Sequence, residues 1–163
     1  MRSPVLILSL FLFGCDFKNN AMYSKKLILD NAWSYHEPIT FTASFETLEE
    51  NELLDFFLLL RKNDSYPFEN LFLIVTINDA KTTFTQDTLE YLMADKNGQL
   101  LGTGYGSQKT SKLVLQQQFQ SFFQGPLHVQ IRHAMRHMDE ENPISSLPGI
   151  TSIELLIQKA NQP

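Results

Sequence analysis

The sequence predicts an all-β protein with a single domain, an antiparallel β-sandwich of the jelly-roll or immunoglobulin-like type. Several segments alternate apolar and polar residues with a period of two, which is typical of strands that bury one face. Turn-forming residues separate these segments at intervals of about 8 to 12 residues, as they do in sandwiches and barrels. Thirteen phenylalanines and five tyrosines against one tryptophan suit a β-rich core.

Residues 1–14 have the features of a bacterial lipoprotein signal peptide. A positive charge at Arg2 precedes an almost wholly apolar run over residues 5–13. This run is too short for a membrane-spanning helix, which needs about 20 apolar residues. Gly14 and then Cys15, the one cysteine of the sequence, end the run as a lipobox does. We therefore predict cleavage before Cys15 and lipidation of its thiol.

An ordinary cleaved signal peptide and an uncleaved anchor are the alternatives for this segment. An ordinary signal favours a small-x-small cleavage site, which residues 12–14 do not provide. A lone cysteine also lacks a disulfide partner, so lipidation gives its thiol a use. One acyl chain binds membranes only marginally, whereas diacylglycerol with an amide-linked chain anchors a protein stably. Residues 15–24 are then predicted to form a tether, and residues 25–163 the β-sandwich domain.

Five segments have the clearest strand patterns. Residues 36–45 alternate apolar with hydroxylated side chains, and residues 127–133 alternate apolar and polar residues in the same manner. Residues 71–77 are continuously apolar, which indicates a strand buried on both faces. Residues 87–93 and 152–158 complete the set.

Two segments have less decisive patterns. Residues 48–60 are acidic at the start and apolar afterwards, so a helix is one interpretation. We predict instead a loop over residues 47–52 and a strand over residues 55–61, because a turn and another strand follow within a few residues. Residues 116–123 are predicted to form a helical turn.

Asn97-Gly98 predicts the type of one turn. Both residues favour positive φ, so the pair predicts a type I′ hairpin that joins strands over residues 89–94 and 99–103. The glycine-rich run over residues 102–106 lacks the spacing of a phosphate-binding loop. Its glycines are predicted to mark a bulge or a close approach of two backbones in a strand.

The sequence contains no recognisable catalytic or metal site. His133 and His137 have a helical i, i+4 spacing, but His133 ends a strand pattern, so the spacing does not place both rings on one face. The acidic clusters at residues 49–50 and 139–141 are predicted to be solvated loops, with a catalytic carboxylate pair from distant strands as the alternative. We predict no enzymatic activity, no metal and no cofactor. The net charge of −5, without a basic stripe, argues against nucleic acid as a partner.

Three aromatic residues stand in polar surroundings in or beside turns: Trp33, Tyr35 and Tyr66. Rings presented in this way stack on sugars or anchor protein interfaces, so these residues form a candidate aromatic binding patch. The alternative is that the rings close the ends of the sandwich core.

Four stretches, together with the lipobox at Cys15, occur in the order found in one known family. They cover residues 61–71, 87–102, 131–136 and 147–153, and they run over nearly the whole mature chain. In these stretches the sequence resembles the GldH family, the gliding-motility-associated lipoproteins of Bacteroidota. The resemblance implies a cell-envelope lipoprotein that works with other gliding proteins and is linked to the type IX secretion system. It implies no enzymatic activity and no cofactor.

Most positions that this chain shares with the family look structural. A few of the shared positions hold polar or amphipathic residues instead. These candidates for an interface or a polar network are Arg61, Tyr66, Asn70, His133 and Arg136.

The predicted function is a non-enzymatic assembly component of the gliding or secretion machinery. The expected partners are the membrane, through a lipid on Cys15, and other envelope proteins of that machinery. The expected location is the outer membrane, facing the periplasm. A glycan-binding lipoprotein that uses the aromatic patch is the main alternative, and a hydrolase is the third.

Overall fold

The computed structural model describes residues 21–46, 48, 52–120 and 123–160. The predicted signal peptide and Cys15 lie outside these residues, as do residues 49–50 of the first acidic cluster. The described part of the chain contains β-strands and no helix. The strands are β1 (Ala21–Ile28), β2 (Ala32–Ser34), β3 (Ile39–Ala43), β4 (Leu53–Lys62), β5 (Asn70–Asn78), β6 (Thr83–Leu92), β7 (Lys109–Gln120), β8 (Leu127–His133), β9 (Ser146–Pro148) and β10 (Ile150–Lys159).

Two four-stranded antiparallel sheets form the sandwich. The first has the strand order β1-β10-β4-β7 and the second the order β3-β8-β5-β6, while β2 and β9 form a small separate sheet. The pairings are nested, since β1 pairs with β10, β3 with β8, β4 with β7 and β5 with β6. Eight strands paired in this way and rolled into two sheets make a jelly roll. The predicted antiparallel sandwich is therefore confirmed, with the jelly-roll topology rather than the immunoglobulin one.

The core lies between the inner faces of the two sheets, and the strand periodicity supplies it. In β5, Leu71, Leu73, Val75 and Ile77 point inward and are buried, whereas the residues between them are half-buried. The continuous apolar run of β5 thus has one fully buried face and one partly covered face, not two fully buried ones. The other four segments with clear strand patterns also form strands, and β8 follows the same alternation.

β4 is a strand and not a helix, as predicted, and it lies in the middle of the first sheet. It pairs with β10 on one side and β7 on the other, which buries most of its side chains. Inward-facing Phe56, Leu58 and Leu60 follow a period of two, and Lys62 continues this period into the core. Of the loop predicted before this strand, only Leu48 and Glu52 are described.

Two predictions about where strands begin and end need correction. β1 begins at Ala21, so residues 21–24, assigned above to the tether, belong to the first strand. Residues 116–120 are part of β7 and not of a helical turn. The pairing with β4 shifts register near Phe56, and Gln118 has a positive φ of 50° while its N–H donates to Asp55 Oδ1 at 2.9 Å. This irregularity interrupts the strand pattern in the sequence.

The turn at Asn97-Gly98 is formed, but it is not of type I′. Only Gly98 has a positive φ, 77°, and its N–H donates to the carbonyl of Asp95 at 2.9 Å. Asp95 and Gln99 face each other across the turn, with the Asp95 N–H donating to the Gln99 carbonyl at 2.9 Å. This is the three-residue hairpin with a bulge glycine. Residues 99–103 make isolated bridges rather than the predicted strand.

The chain direction gives the sandwich two distinguishable ends. β1 and β4 both run antiparallel to β10, so both begin at the same end, which we call the near end. β4 finishes at Lys62 at the opposite, far end, and β5 begins there at Asn70. β8 runs antiparallel to β5 and therefore also finishes at the far end, at His133.

Candidate functional site

An open groove at the far end of the sandwich is the candidate site. It has a volume of about 630 Å³ and lies where β5 begins and β8 ends. Met138 at its margin is 97% exposed, and Leu92, opposite Asn70 in the neighbouring strand β6, is 69% exposed. The lining residues are mainly apolar: Phe68, Asn70, Phe72, Ala134, Met135, Arg136, His137 and Met138.

Tyr66 and Asn70 fix one wall of the groove. The Tyr66 hydroxyl donates to the Asn70 carbonyl at 2.5 Å, and the Asn70 side-chain amide donates to Glu90 Oε1 at 3.0 Å. Burial raises the pKa of Tyr66, so its hydroxyl stays protonated and keeps donating. Phe68 packs edge-on against Tyr66, with ring centroids 5.8 Å apart, and lies 6.2 Å from the ring of His137.

The segment after β8 forms the other wall. The Ala134 N–H donates to the Phe72 carbonyl at 2.8 Å, and the Phe72 N–H points to the sulfur of Met135 at 3.3 Å. The Met135 carbonyl accepts from the Ile144 N–H at 2.8 Å, which ties this wall to the returning chain. Side-chain hydrogen bonds thus hold the first wall and mainly backbone hydrogen bonds hold the second, so the groove is preformed.

The residues selected through the family resemblance divide into three places. Asn70 and Arg136 line the groove, and Tyr66 supports it from behind. His133 is buried beneath it, one residue before the wall segment begins. Arg61 is exposed on the outer face of the other sheet, so it does not belong to this site.

The candidate aromatic patch is not available for stacking. Trp33 is only 1% exposed and Tyr66 only 4% exposed, so neither can present a ring face to a ligand. Tyr35 is half-buried, and its ring packs against His133 with centroids 5.7 Å apart. The rings close the far end of the core, which was the alternative interpretation.

His133 belongs to this ring cluster and has no hydrogen-bond partner for either ring nitrogen among the described residues. The indole Nε1 of Trp33, whose ring lies 5.6 Å from His133, is also unpartnered there. Burial lowers the pKa of His133, and the backbone of Trp33 opposes this shift to a smaller extent. The neutral imidazole is therefore the favoured form in the folded protein.

Lys62 is a buried cation that the sequence analysis did not select. Its Nζ donates to the carbonyl of Leu101 and to Oγ of Ser111, both at 2.7 Å. Burial lowers the pKa of Lys62 to about 8. The period-two continuation of β4 was the sequence feature that could have placed this residue inside.

The glycine-rich run before β7 makes the close backbone approach that was predicted. A Cβ at Gly102 would lie 2.5 Å from the carbonyl oxygen of Thr110, and one at Gly104 would lie 2.3 Å from that of Gln108. A polar cleft of about 530 Å³ lies beside this run, with Asp64 and Lys109 in its lining.

The described residues contain neither a cluster of metal ligands nor a membrane-spanning helix. No group of three or more His, Cys, Asp or Glu side chains in this part of the chain is placed to hold a metal ion. No helix there is long and apolar enough to cross a membrane.

Comparison with known proteins gives consistent matches over nearly the whole chain. The sequence model of the GldH lipoprotein family matches residues 21–157. The gliding motility lipoprotein GldH of Flavobacterium johnsoniae is 33% identical over 95% of this chain and 94% of the relative. A protein of Christiangramia forsetii, named gliding motility lipoprotein GldH homolog, is 32% identical over 96% of this chain and 94% of its own length. No solved structure matches the chain.

Proposed function

This chain belongs to the GldH lipoprotein family, and we propose that it acts in gliding motility as a lipid-anchored component of the gliding apparatus. The observation that supports this function is the near full-length similarity to two relatives named as gliding motility lipoproteins. We further propose a non-enzymatic assembly role that is linked to the type IX secretion machinery.

The proposed mechanism is binding from a membrane surface. A lipid on Cys15 would confine the sandwich to two dimensions, which raises its effective concentration for partners on the same membrane. We propose the outer membrane, on its periplasmic face, as the location. A preformed groove supports a binding role, because a partner that fits a rigid surface loses less entropy on association.

The composition of the groove supports a non-enzymatic role. Among the described residues no Asp or Glu lines it, so this part of the chain does not supply the groove with the paired carboxylates that a hydrolase of the glycosidase type requires. Two of the three stacking residues predicted for the glycan-binding alternative, Trp33 and Tyr66, are buried, and the third, Tyr35, is half-buried against His133.

The test is complementation in the bacterium that encodes the chain. A deletion strain should lose colony spreading, the wild-type protein should restore it, and Cys15→Ser should leave the protein in the soluble fraction and fail to restore spreading. Immunoblots of total protein control for accumulation. Normal spreading of the deletion strain would refute the proposed function. A membrane-bound Cys15→Ser protein in detergent partitioning would refute the lipid anchor.

A further inference from the structure

The groove lies at the end of the sandwich away from the proposed anchor. Only residues 16–20 separate Cys15 from β1, which begins at the near end. An extended chain spans about 3.5 Å per residue, so this link reaches about 20 Å at most. The near end therefore stays close to the membrane, and the groove lies at the end where partners beyond the lipid surface have access.

The groove has one charged side chain without a counter-ion. Arg136 is exposed, and it forms no ion pair with any described residue. The apolar lining beside it is contributed by Phe68, Phe72 and the two methionines. This combination fits a ligand with an apolar body and a carboxylate, because guanidinium binds carboxylate with charge-assisted hydrogen bonds.

Polar side chains line a second depression on the outer face of the second sheet, the face of β5 to which Phe72 also belongs. Two residues along β5 from Phe72, a shallow trough of about 170 Å³ is lined by Ile74, Thr76, Gln86, Gln130 and Arg132. Hydroxyl and amide side chains can hydrogen-bond a peptide backbone, whereas an acyl chain gains nothing from them. The open margin at Met138 and Leu92 also fits a chain that passes over the surface.

We propose that the far-end groove binds an extended segment of a partner protein, in which apolar side chains lie next to a carboxylate that pairs with Arg136. This inference rests on the proposed function and adds to it the chemical class of the partner segment. The apolar side chains occupy the space between Phe68, Phe72 and Met138, and the polar trough contacts the following backbone.

The test uses the full lipidated chain in nanodiscs and a phage-displayed library of random dodecapeptides, with empty nanodiscs to remove lipid binders. Selection on the wild type should enrich peptides that combine apolar residues with Asp or Glu. Selection on Arg136→Glu should replace the acidic residue by Lys or Arg. Arg61→Glu is the matched control, because Arg61 is exposed on the other sheet, and it should select the wild-type motif.

Affinity measurements on one selected peptide make the result quantitative. Arg136→Glu should weaken its binding by about tenfold to a hundredfold, as expected for a lost charge-assisted hydrogen bond. A Glu→Lys version of the peptide should bind this variant better than it binds the wild type. No selected motif, or the same motif on Arg136→Glu, would overturn the proposal.

A fatty acid is the other ligand with this chemistry, and it is tested directly. Stoichiometric, Arg136-dependent binding of sodium laurate, measured against empty nanodiscs, with no peptide selected, would overturn the proposal in favour of a fatty-acid site. The proposed function is tested separately, by the loss of spreading in the deletion strain and in the strain that carries Cys15→Ser. A negative peptide selection leaves that result unchanged.

Discussion

The ammonium group of Lys62 donates to Oγ of Ser111 at 2.7 Å inside the far end of the sandwich. Its second acceptor is the carbonyl of Leu101, and no carboxylate of the described chain pairs with it. Lys62 therefore links β4 to β7 and to the connection that precedes β7. Burying a cation on two neutral acceptors has a free-energy cost that depends on pH.

Replacing Lys62 with methionine should remove this pH dependence. The pKa of Lys62 is about 8 in the folded protein and has its ordinary value of 10.5 in the unfolded chain. Between these values the unfolded chain binds the proton and the folded chain does not, so rising pH stabilises the wild type. From pH 8 to 10 the free energy of unfolding of the wild type should rise by on the order of 2 kcal/mol relative to Lys62→Met.

Urea unfolding at several pH values measures this difference. Lys26→Met is the control, because it makes the same substitution at an exposed lysine of β1. Parallel profiles for the wild type and Lys62→Met would contradict the assignment of a buried, titrating ammonium.

His133 should make the protein less stable in mild acid. Burial lowers its pKa in the folded state, so the unfolded chain binds a proton that the folded chain excludes. The free energy of unfolding should therefore fall as the pH drops below about 6.5, by at most about 1.4 kcal/mol per pH unit from this group. Trp33 and Tyr35, which pack against the ring, supply no charge that would offset this.

The comparison of wild type with His133→Phe between pH 8 and 5 isolates this contribution. The stability difference between the two proteins should change with pH, to the disadvantage of the wild type in acid. His137→Gln removes an exposed imidazole and serves as the matched control. A pH-independent difference for His133→Phe would show that the ring does not titrate as expected.

Gly149 should tolerate no side chain. It has a φ of 80°, and a Cβ there would lie 2.2 Å from the backbone nitrogen of Tyr66. Its N–H and carbonyl are also bonded to Asn31 and Asn63, so the backbone cannot easily shift. Gly149→Ala should lower the free energy of unfolding by about 3 kcal/mol, through both strain and overlap.

Gly98 gives the control for this prediction, since it has a similar φ of 77° and no atom within 4 Å of an added Cβ. Gly98→Ala should lower the free energy of unfolding by about 1 kcal/mol, because only the unfavourable positive φ acts there and no atom overlaps the added Cβ. Equal melting temperatures for the two variants would contradict the close packing at Gly149.

Tyr66→Phe tests the support of the groove. The variant loses the hydrogen bond to the Asn70 carbonyl and should be less stable by about 1 kcal/mol. Tyr105→Phe removes the same hydroxyl from a side chain that is 99% exposed, so its melting temperature should match the wild type. Equal effects of the two substitutions would show that the Tyr66 hydroxyl does not hold this wall.

Much of the fold follows from local patterns in the sequence. The alternation in residues 36–45 and 127–133 predicted β3 and β8, and the turn that follows residues 55–61 correctly favoured a strand over a helix there. Residues 116–120 were misassigned because the irregular pairing around Gln118 breaks the period that identifies a strand. The Asn97-Gly98 turn was recognised, but its type depends on Asp95, whose side chain accepts from the N–H groups of Asn97 and Gln99.

The groove was less predictable because its walls come from distant parts of the chain. Asn70 and Arg136 were selected through the family resemblance, but Phe68, Met135 and Met138 have no pattern that distinguishes them from ordinary apolar residues. Trp33 and Tyr66 looked exposed because their neighbours are polar. They are buried because β2, β9 and the turn before β5 fold over the far end of the core.

Photo-crosslinking in living cells tests the central claim most directly, namely that the anchored sandwich binds an envelope protein of the gliding machinery at its far end. Benzoylphenylalanine replaces Met138 in the groove or, as a control, Val114, which is 40% exposed on the other sheet. We predict a discrete adduct from position 138, identified by mass spectrometry as a gliding or secretion protein, and none from position 114 or after Cys15→Ser. No such adduct from position 138, or the same adducts from both positions, would contradict the account.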